Sequence, residues 1–267
     1  MTARAFLIRG LIAGLVAGLA TFFVAHQVGE PHVETAIALE EAGAAAPAEH
    51  THDEAEADGH THTHSHGDDG GTEVSRDDQR TWGLLTATLT VGVALGGVLG
   101  LVAAGVAGRI GRLTVRQSTA LVAVVGFVSF SLVPFLKYPA TPPAVGDAAT
   151  IGARTGDYFG FLLVSVVAAV LLTVLAVRLL PRYGAFAVTV GAVAAYLVVV
   201  VVAGQMFPTV NEVGDFPADV LWYFRRASVI TLATTWSVLG VVLAGLLGRL
   251  QDQETVAAER KALAASL

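Results

Sequence analysis

The sequence predicts an all-α, polytopic membrane protein of about six transmembrane helices with both termini cytoplasmic. Three observations point there. Of 267 residues, 54% are hydrophobic and only 14% charged, with a mean hydropathy of +0.65. Apolar runs of about 20 residues, enough to cross roughly 30 Å of hydrocarbon as helix, recur six times. The cations are also unevenly shared between the segments joining those runs.

The first run, about Phe6–Val28, follows Arg4 and Arg9 as a secretory leader would. It exceeds the usual leader core of about 7–15 residues and no clear A-x-A site follows, so a retained helix is expected. Region 1–28 is therefore helix 1 with its cytoplasmic N-terminus, and 29–80 is an outer loop. Region 81–248 holds the remaining helices, about Trp82–Ala107, Gln117–Leu136, Tyr158–Leu180, Tyr183–Met206 and Ser228–Gly248. Outer loops 137–157 and 207–227 should be ordered, and 249–267 forms a cytoplasmic tail. In this arrangement ten of the 16 cations lie inside and 19 of the 22 acids outside. The cation bias is what sets orientation. Carboxylates on the outer face attract cations, although a halophile or GC-rich coding also favours acid-rich loops and arginine over lysine. Cysteine is absent, which leaves no disulfide framework and no thiolate ligand.

Six of eight histidines, His50, His52, His60, His62, His64 and His66, fall within 17 residues of the outer loop. Histidine-rich tracts are compositional signals of metal binding, because neutral imidazole suits zinc, cobalt and nickel. Spacing of i, i+2 lets several rings wrap one ion without dictating its identity; a merely hydrated spacer is the plainer reading. The loop opens with GEPHVETAIALEEAG, read as a Pro31 turn followed by a short helix with Glu30, Glu34 and Glu41 near one stripe. His26, His32 and Glu34 could then form an ion-collecting mouth, or the helix could lie on lipid headgroups. The stretch Gly43–Thr72 has almost nothing to bury, so disorder without metal is expected. EVSRDDQRTWG reads as a helix start, with Ser75 as N-cap and Asp77 and Asp78 in the first turn.

The later spans hold no ionisable residue in their central parts, where one would mark an ion path. This favours a subunit of a larger permease over a self-sufficient carrier. Gly10, Gly14 and Gly18, and again Gly92, Gly96 and Gly100, recur every four residues and predict close helix packing. The loop Pro134–Gly160 carries four prolines in ten residues, which predict a rigid extended path rather than helix. Arg154 there should lie near carboxylates, and Lys137 should snorkel at the interface. Trp222, Tyr223 and Phe224 suit the headgroup zone.

The blocks GEP-x3-AIALEEA, EVSRDDQR and PFLKYPATPPAVGDAATIGART, with a histidine-rich insert between the first two, resemble the CbtA family of predicted cobalt transporter subunits. The resemblance implies a multi-pass subunit of the cell membrane, associated with cobalamin synthesis and paired with a small single-span, histidine-bearing subunit. The positions standing in those blocks are Glu34, Glu40, Glu41, Lys137, Asp147 and Arg154.

The expected activity is cobalt (or nickel) uptake, with the outer tract concentrating the ion and His26, His32 and Glu34 passing it on. No catalysis and no cofactor are expected beyond the divalent metal itself, cobalt with nickel or zinc as alternatives. Lipid is an expected partner, a homo-oligomer is a further option, and nucleic acid is not expected. No Walker A motif is present, so ATP dependence would need another chain. The alternative is a non-transporting protein that senses or buffers metal.

Overall fold

The computed structural model describes residues 1–45 and 74–266. Among these, six helices are long and apolar enough to cross a membrane. They are α1 (Ala3–Gly43), α2 (Arg76–Val106), α3 (Val115–Lys137), α4 (Ala148–Tyr183), α5 (Ala185–Met206) and α6 (Ala218–Ala265). No strand occurs among the described residues. The six histidines from His50 to His66 lie outside them.

Local chemistry starts and stops these helices. Thr2 accepts the Ala5 N–H to cap α1. Ser75 accepts the Asp78 N–H to start α2, as its sequence predicts. Thr114 and Gln117 form a reciprocal capping box at the start of α3, which satisfies two N–H groups that have no intrahelical partner. Gly184, at φ +79°, ends α4 and lets α5 turn straight back, a conformation that costs a residue with a Cβ.

Two expectations about proline need correction. Pro31 does not make a turn: α1 runs through it without interruption. Pro134 likewise lies inside α3, which continues to Lys137. In both places a π-helical turn comes just before, Ala25–Gly29 in α1 and Phe127–Leu132 in α3. The residue preceding each proline donates five residues back, Glu30 to Ala25 and Val133 to Val128. An α-helical proline clashes with the carbonyl four residues behind it and forfeits that bond. The wider turn shifts the ladder before the ring arrives, so the helix absorbs the proline.

Packing follows the glycines. At Gly10, Gly14, Gly18, Gly92, Gly96 and Gly100, an added Cβ would come within 3.0 Å of the facing helix's backbone. The two stripes face each other, so α1 and α2 are in backbone contact over several turns. In lipid, apolar burial drives little association, and contact of this closeness supplies the attraction instead. α6 lies against α1 and α3, burying Leu239, Leu243 and Leu247 completely. These leucines pack with Phe6, Ala13, Ala17, Leu99 and Ala103. α4 and α5 pair as a hairpin at the edge of this four-helix core and bury far less of their surface.

The Met1 amino group ion-pairs with Glu254 at 2.8 Å, and the Val115 N–H bonds Gln251 at 3.2 Å. Both termini therefore sit at one end of the bundle, opposite the end that bears the long loops.

Candidate metal-entry site

Three polar structures stand at or near the loop end. The first joins α1 to α2. Arg76 ion-pairs with Glu30, and Arg80 with Glu34 at 2.7 Å and with Asp77 at 2.9 Å. The expected mouth of open carboxylates thus has two of its acids already neutralised by arginines of the next helix. The match is one of spacing, since Glu30 and Glu34 stand four apart and so do Arg76 and Arg80. That reciprocal i, i+4 pattern was readable in the sequence, yet it was missed.

The three predicted ligands of this mouth take different surroundings. His26 lies in the π turn of α1 with its Nδ1 3.2 Å from the Arg80 carbonyl and its ring stacked on Phe22. A carbonyl only accepts, so Nδ1 carries the hydrogen, and in the neutral ring Nε2 keeps the lone pair. An imidazole fixed by a carbonyl at one nitrogen is oriented to ligate with the other. The carbonyl is offered because a second π turn, Gln79–Gly83, sends the Leu84 N–H to the Gln79 and Thr81 carbonyls and past that of Arg80, its α-helical acceptor. Glu34 meets the same arginine through its guanidinium, so Arg80 links His26 and Glu34. His32 points elsewhere and stacks on Tyr223 of α6, at 5.8 Å between ring centres. Among the described residues no three His, Asp or Glu side chains converge to hold a metal. Glu40 and Glu41 are exposed near the end of α1.

The second structure is a latch between outer loops. Glu212 accepts from the Asp147 N–H at 2.9 Å and the Thr150 hydroxyl at 2.8 Å, and lies 3.3 Å from Arg154 Nε. Arg154 also donates to the Asp147 carbonyl. These donors hold the Glu212 carboxyl below its ordinary range: the Asp147 N–H counts most, then the Thr150 hydroxyl, and Arg154 less. Gly146, at φ +112°, lies so close to the guanidinium that a side chain there would strike it. Nearby, Lys137 does not simply snorkel: Nζ donates to the Phe207 carbonyl at 3.1 Å. Tyr138 donates to the Pro208 carbonyl at 2.8 Å. The K-Y-P, P-P and G-D block is therefore the half of a clasp whose other half is 207–212.

The third structure is a transverse polar layer inside the bundle. Thr21 and Thr235 share a hydrogen bond at 2.8 Å. Trp236 Nε1 donates to Ser131 at 2.8 Å. The Ser165 hydroxyl donates to the Ser129 carbonyl at 2.7 Å and meets the Tyr196 hydroxyl at the same distance. These bonds link α1, α6, α3, α4 and α5, all in the loop-end half of their apolar spans. Ser129 and Ser131 belong to the π turn of α3.

A family model described as a probable cobalt transporter subunit (CbtA) matches residues 3–248. The chain belongs to the CbtA family. Neither among curated proteins nor among solved structures is a match found. The matched stretch takes in α1 to α5, α6 as far as Gly248, and each of the three polar structures, so the layout above is that of a CbtA subunit. A member of this family is a cobalt transporter subunit, a multi-pass protein of the cell membrane, and by description works with another chain.

Proposed function

We propose that this CbtA protein is the membrane subunit of an uptake permease for cobalt, and for nickel, whose loop end faces outward. The observation that carries this reading is the family match over residues 3–248. Support comes from six histidines and several acids in one loop, and from a His26 ring oriented to ligate through Nε2. The tract gathers ions from dilute solution, and the His26–Arg80–Glu34 group receives them where Arg80 can exchange partners. The partner is a small single-span, histidine-bearing subunit, and a homo-oligomer is compatible with the exposed α5 face. Energy comes from outside this chain.

Cobalt uptake by cells carrying the chain with its partner tests the division of labour. Deleting 46–73 should slow uptake when cobalt is scarce, with recovery at high cobalt. His26→Ala with Glu34→Ala should lower the rate roughly tenfold at every concentration, the scale on which metal-site residues act. Normal uptake in both variants would sink the reading.

A second reading, a membrane protein that senses or buffers metal without moving it, is favoured by the absence of ionisable residues in the span centres. It predicts cobalt binding by the tract with no transport by wild type. Orientation has its own test. The chain lacks cysteine, so one cysteine placed within 46–73 should react with an impermeant thiol reagent on intact cells. Labelling confined to inside-out vesicles would reverse the assignment.

A further inference from the structure

At the termini end, above the turn at Gly184, a gap runs between α4 and α5. The gap is a groove of about 340 Å³ lined by Leu172, Ala176, Leu179 and Tyr183 of α4 and Gly191 and Ala195 of α5. Its lining is largely hydrocarbon. Gly191 and Ala195 are small residues four apart, the spacing that lets α1 and α2 touch. Here it is unused: an added Cβ at Gly191 would meet nothing within 4 Å.

At the loop end Arg76, Arg80 and Arg154 each have a carboxylate partner. At the termini end Asp252 faces Arg116 and Glu254 faces the amino terminus. Among the described residues, Arg109, Arg112, Arg178 and Arg182 have no carboxylate partner, as is also true of Arg4, Arg9 and Arg249 at the same end and of Arg225 and Arg226 at the other. Arg182 sits over the Tyr183 ring at 5.2 Å, which places its guanidinium beside a groove-lining residue. The turn carrying Arg109 and Arg112 approaches the same helix, since a Cβ at Gly111 would reach Leu180.

We propose that this groove is a binding site for one anionic phospholipid. An acyl chain lies along Leu172, Ala176, Leu179 and Gly191, and the headgroup phosphate is held by Arg182 and Arg178. Hydrocarbon meeting hydrocarbon fixes the depth, and Arg182, over the groove-lining Tyr183, with Arg178 one turn before it on the same helix, selects negative charge. A basic pocket between transmembrane helices has the chemistry of a lipid-phosphate site. Arginine suits it, since its planar fork can bond two phosphate oxygens together.

The test uses the full chain, purified in neutral detergent and stripped of lipid. It is then titrated with phosphatidylglycerol or phosphatidylcholine of matched chains, and bound lipid is counted by native mass spectrometry. Phosphatidylglycerol should bind more tightly, by roughly fivefold for each guanidinium engaged. The double variant R178Q/R182Q should bind both lipids alike. Arg182→Lys should keep part of the preference, which retains a reading should the double variant fail to fold. Gly191→Phe, filling the groove with the arginines intact, should lose the bound lipid. Equal affinity for the two lipids in wild type would overturn the proposal. So would displacement of phosphatidylglycerol by millimolar inorganic phosphate, which would mark a free-anion site. A dimer that forms through α5 and excludes lipid would overturn it as well, by assigning the groove to a second copy.

Discussion

Gly14→Leu should leave almost no folded protein. A Cβ at this position falls within 3.0 Å of the Gly92 carbonyl group and the Val93 Cα. Both obstacles are backbone, so no rotamer change can relieve them. The helices must separate, and every contact along the paired stripes weakens together. Overpacking a core costs about 1–3 kcal/mol where side chains can shift; against rigid backbone the loss should reach or exceed the top of that range. The monodisperse fraction on size exclusion, at matched expression, gives the measure. Two controls make the result specific. Gly105→Leu, where a Cβ meets nothing within 4 Å, should behave as wild type, and Gly97→Ala, which meets only the Leu11 and Leu7 side chains, should lose little. A well-folded Gly14→Leu protein would contradict the close approach of α1 and α2.

The latch gives the second large effect, and it carries a pH signature. Glu212 is ionised in the clasp with its carboxyl below the ordinary range. For a depressed carboxyl, the stabilisation is complete above the unfolded pKa and is lost as pH falls through the folded one. The clasp should therefore be fully closed at neutral pH and open only in acid, below the usual carboxylate range. Glu212→Gln removes the charge and weakens the bonds from Asp147, Thr150 and Arg154 together. Charge-assisted bonds are about twice as strong as neutral ones. Amide exchange across 144–155 should then rise roughly tenfold at pH 7, since local protection tracks the free energy of local opening. The variant's exchange, corrected for intrinsic rate, should also lose its acid transition. An unchanged transition in Glu212→Gln would place the titrating group elsewhere.

The six spans were legible because bilayer thickness writes itself into composition, as an apolar run of fixed length. The paired glycine stripes and the Ser75 cap were legible for a similar reason: each is a local pattern with one geometric meaning. Pro31 and Pro134 misled because residue type reports the proline's demand on the ladder, whereas a π turn meets that demand through geometry alone. The polar partnerships were harder still. Glu212 reaches Asp147 across 65 residues, and Glu30 reaches Arg76 across 46. Charge pattern offered a hint only for the second. Ser165, Tyr196 and Trp236 looked like ordinary span residues, since a lone hydroxyl or indole in an apolar run carries no signal until its partner helix is known. The histidine tract from His50 to His66, the loudest feature of the sequence, lies outside the described residues.

The transverse layer from Thr21 to Tyr196 has a mechanical consequence. It ties five helices at one level in the loop-end half. Among the described residues, no side-chain hydrogen bond joins α4 or α5 to the rest of the bundle between that layer and the termini end. The α4–α5 hairpin is thus pinned at mid-length, with Ser165 and Tyr196 near the middle of their helices, and again at the loop end by the contacts of Thr150 and Arg154 with Glu212. The arm toward the termini is restrained only by apolar contact. Any swing of the hairpin opens the termini side widely while the loop side barely stirs. On the uptake route proposed above, a cargo admitted at the loops would meet a stiff collar first and a yielding exit after it, an asymmetry that needs no charged residue in the spans.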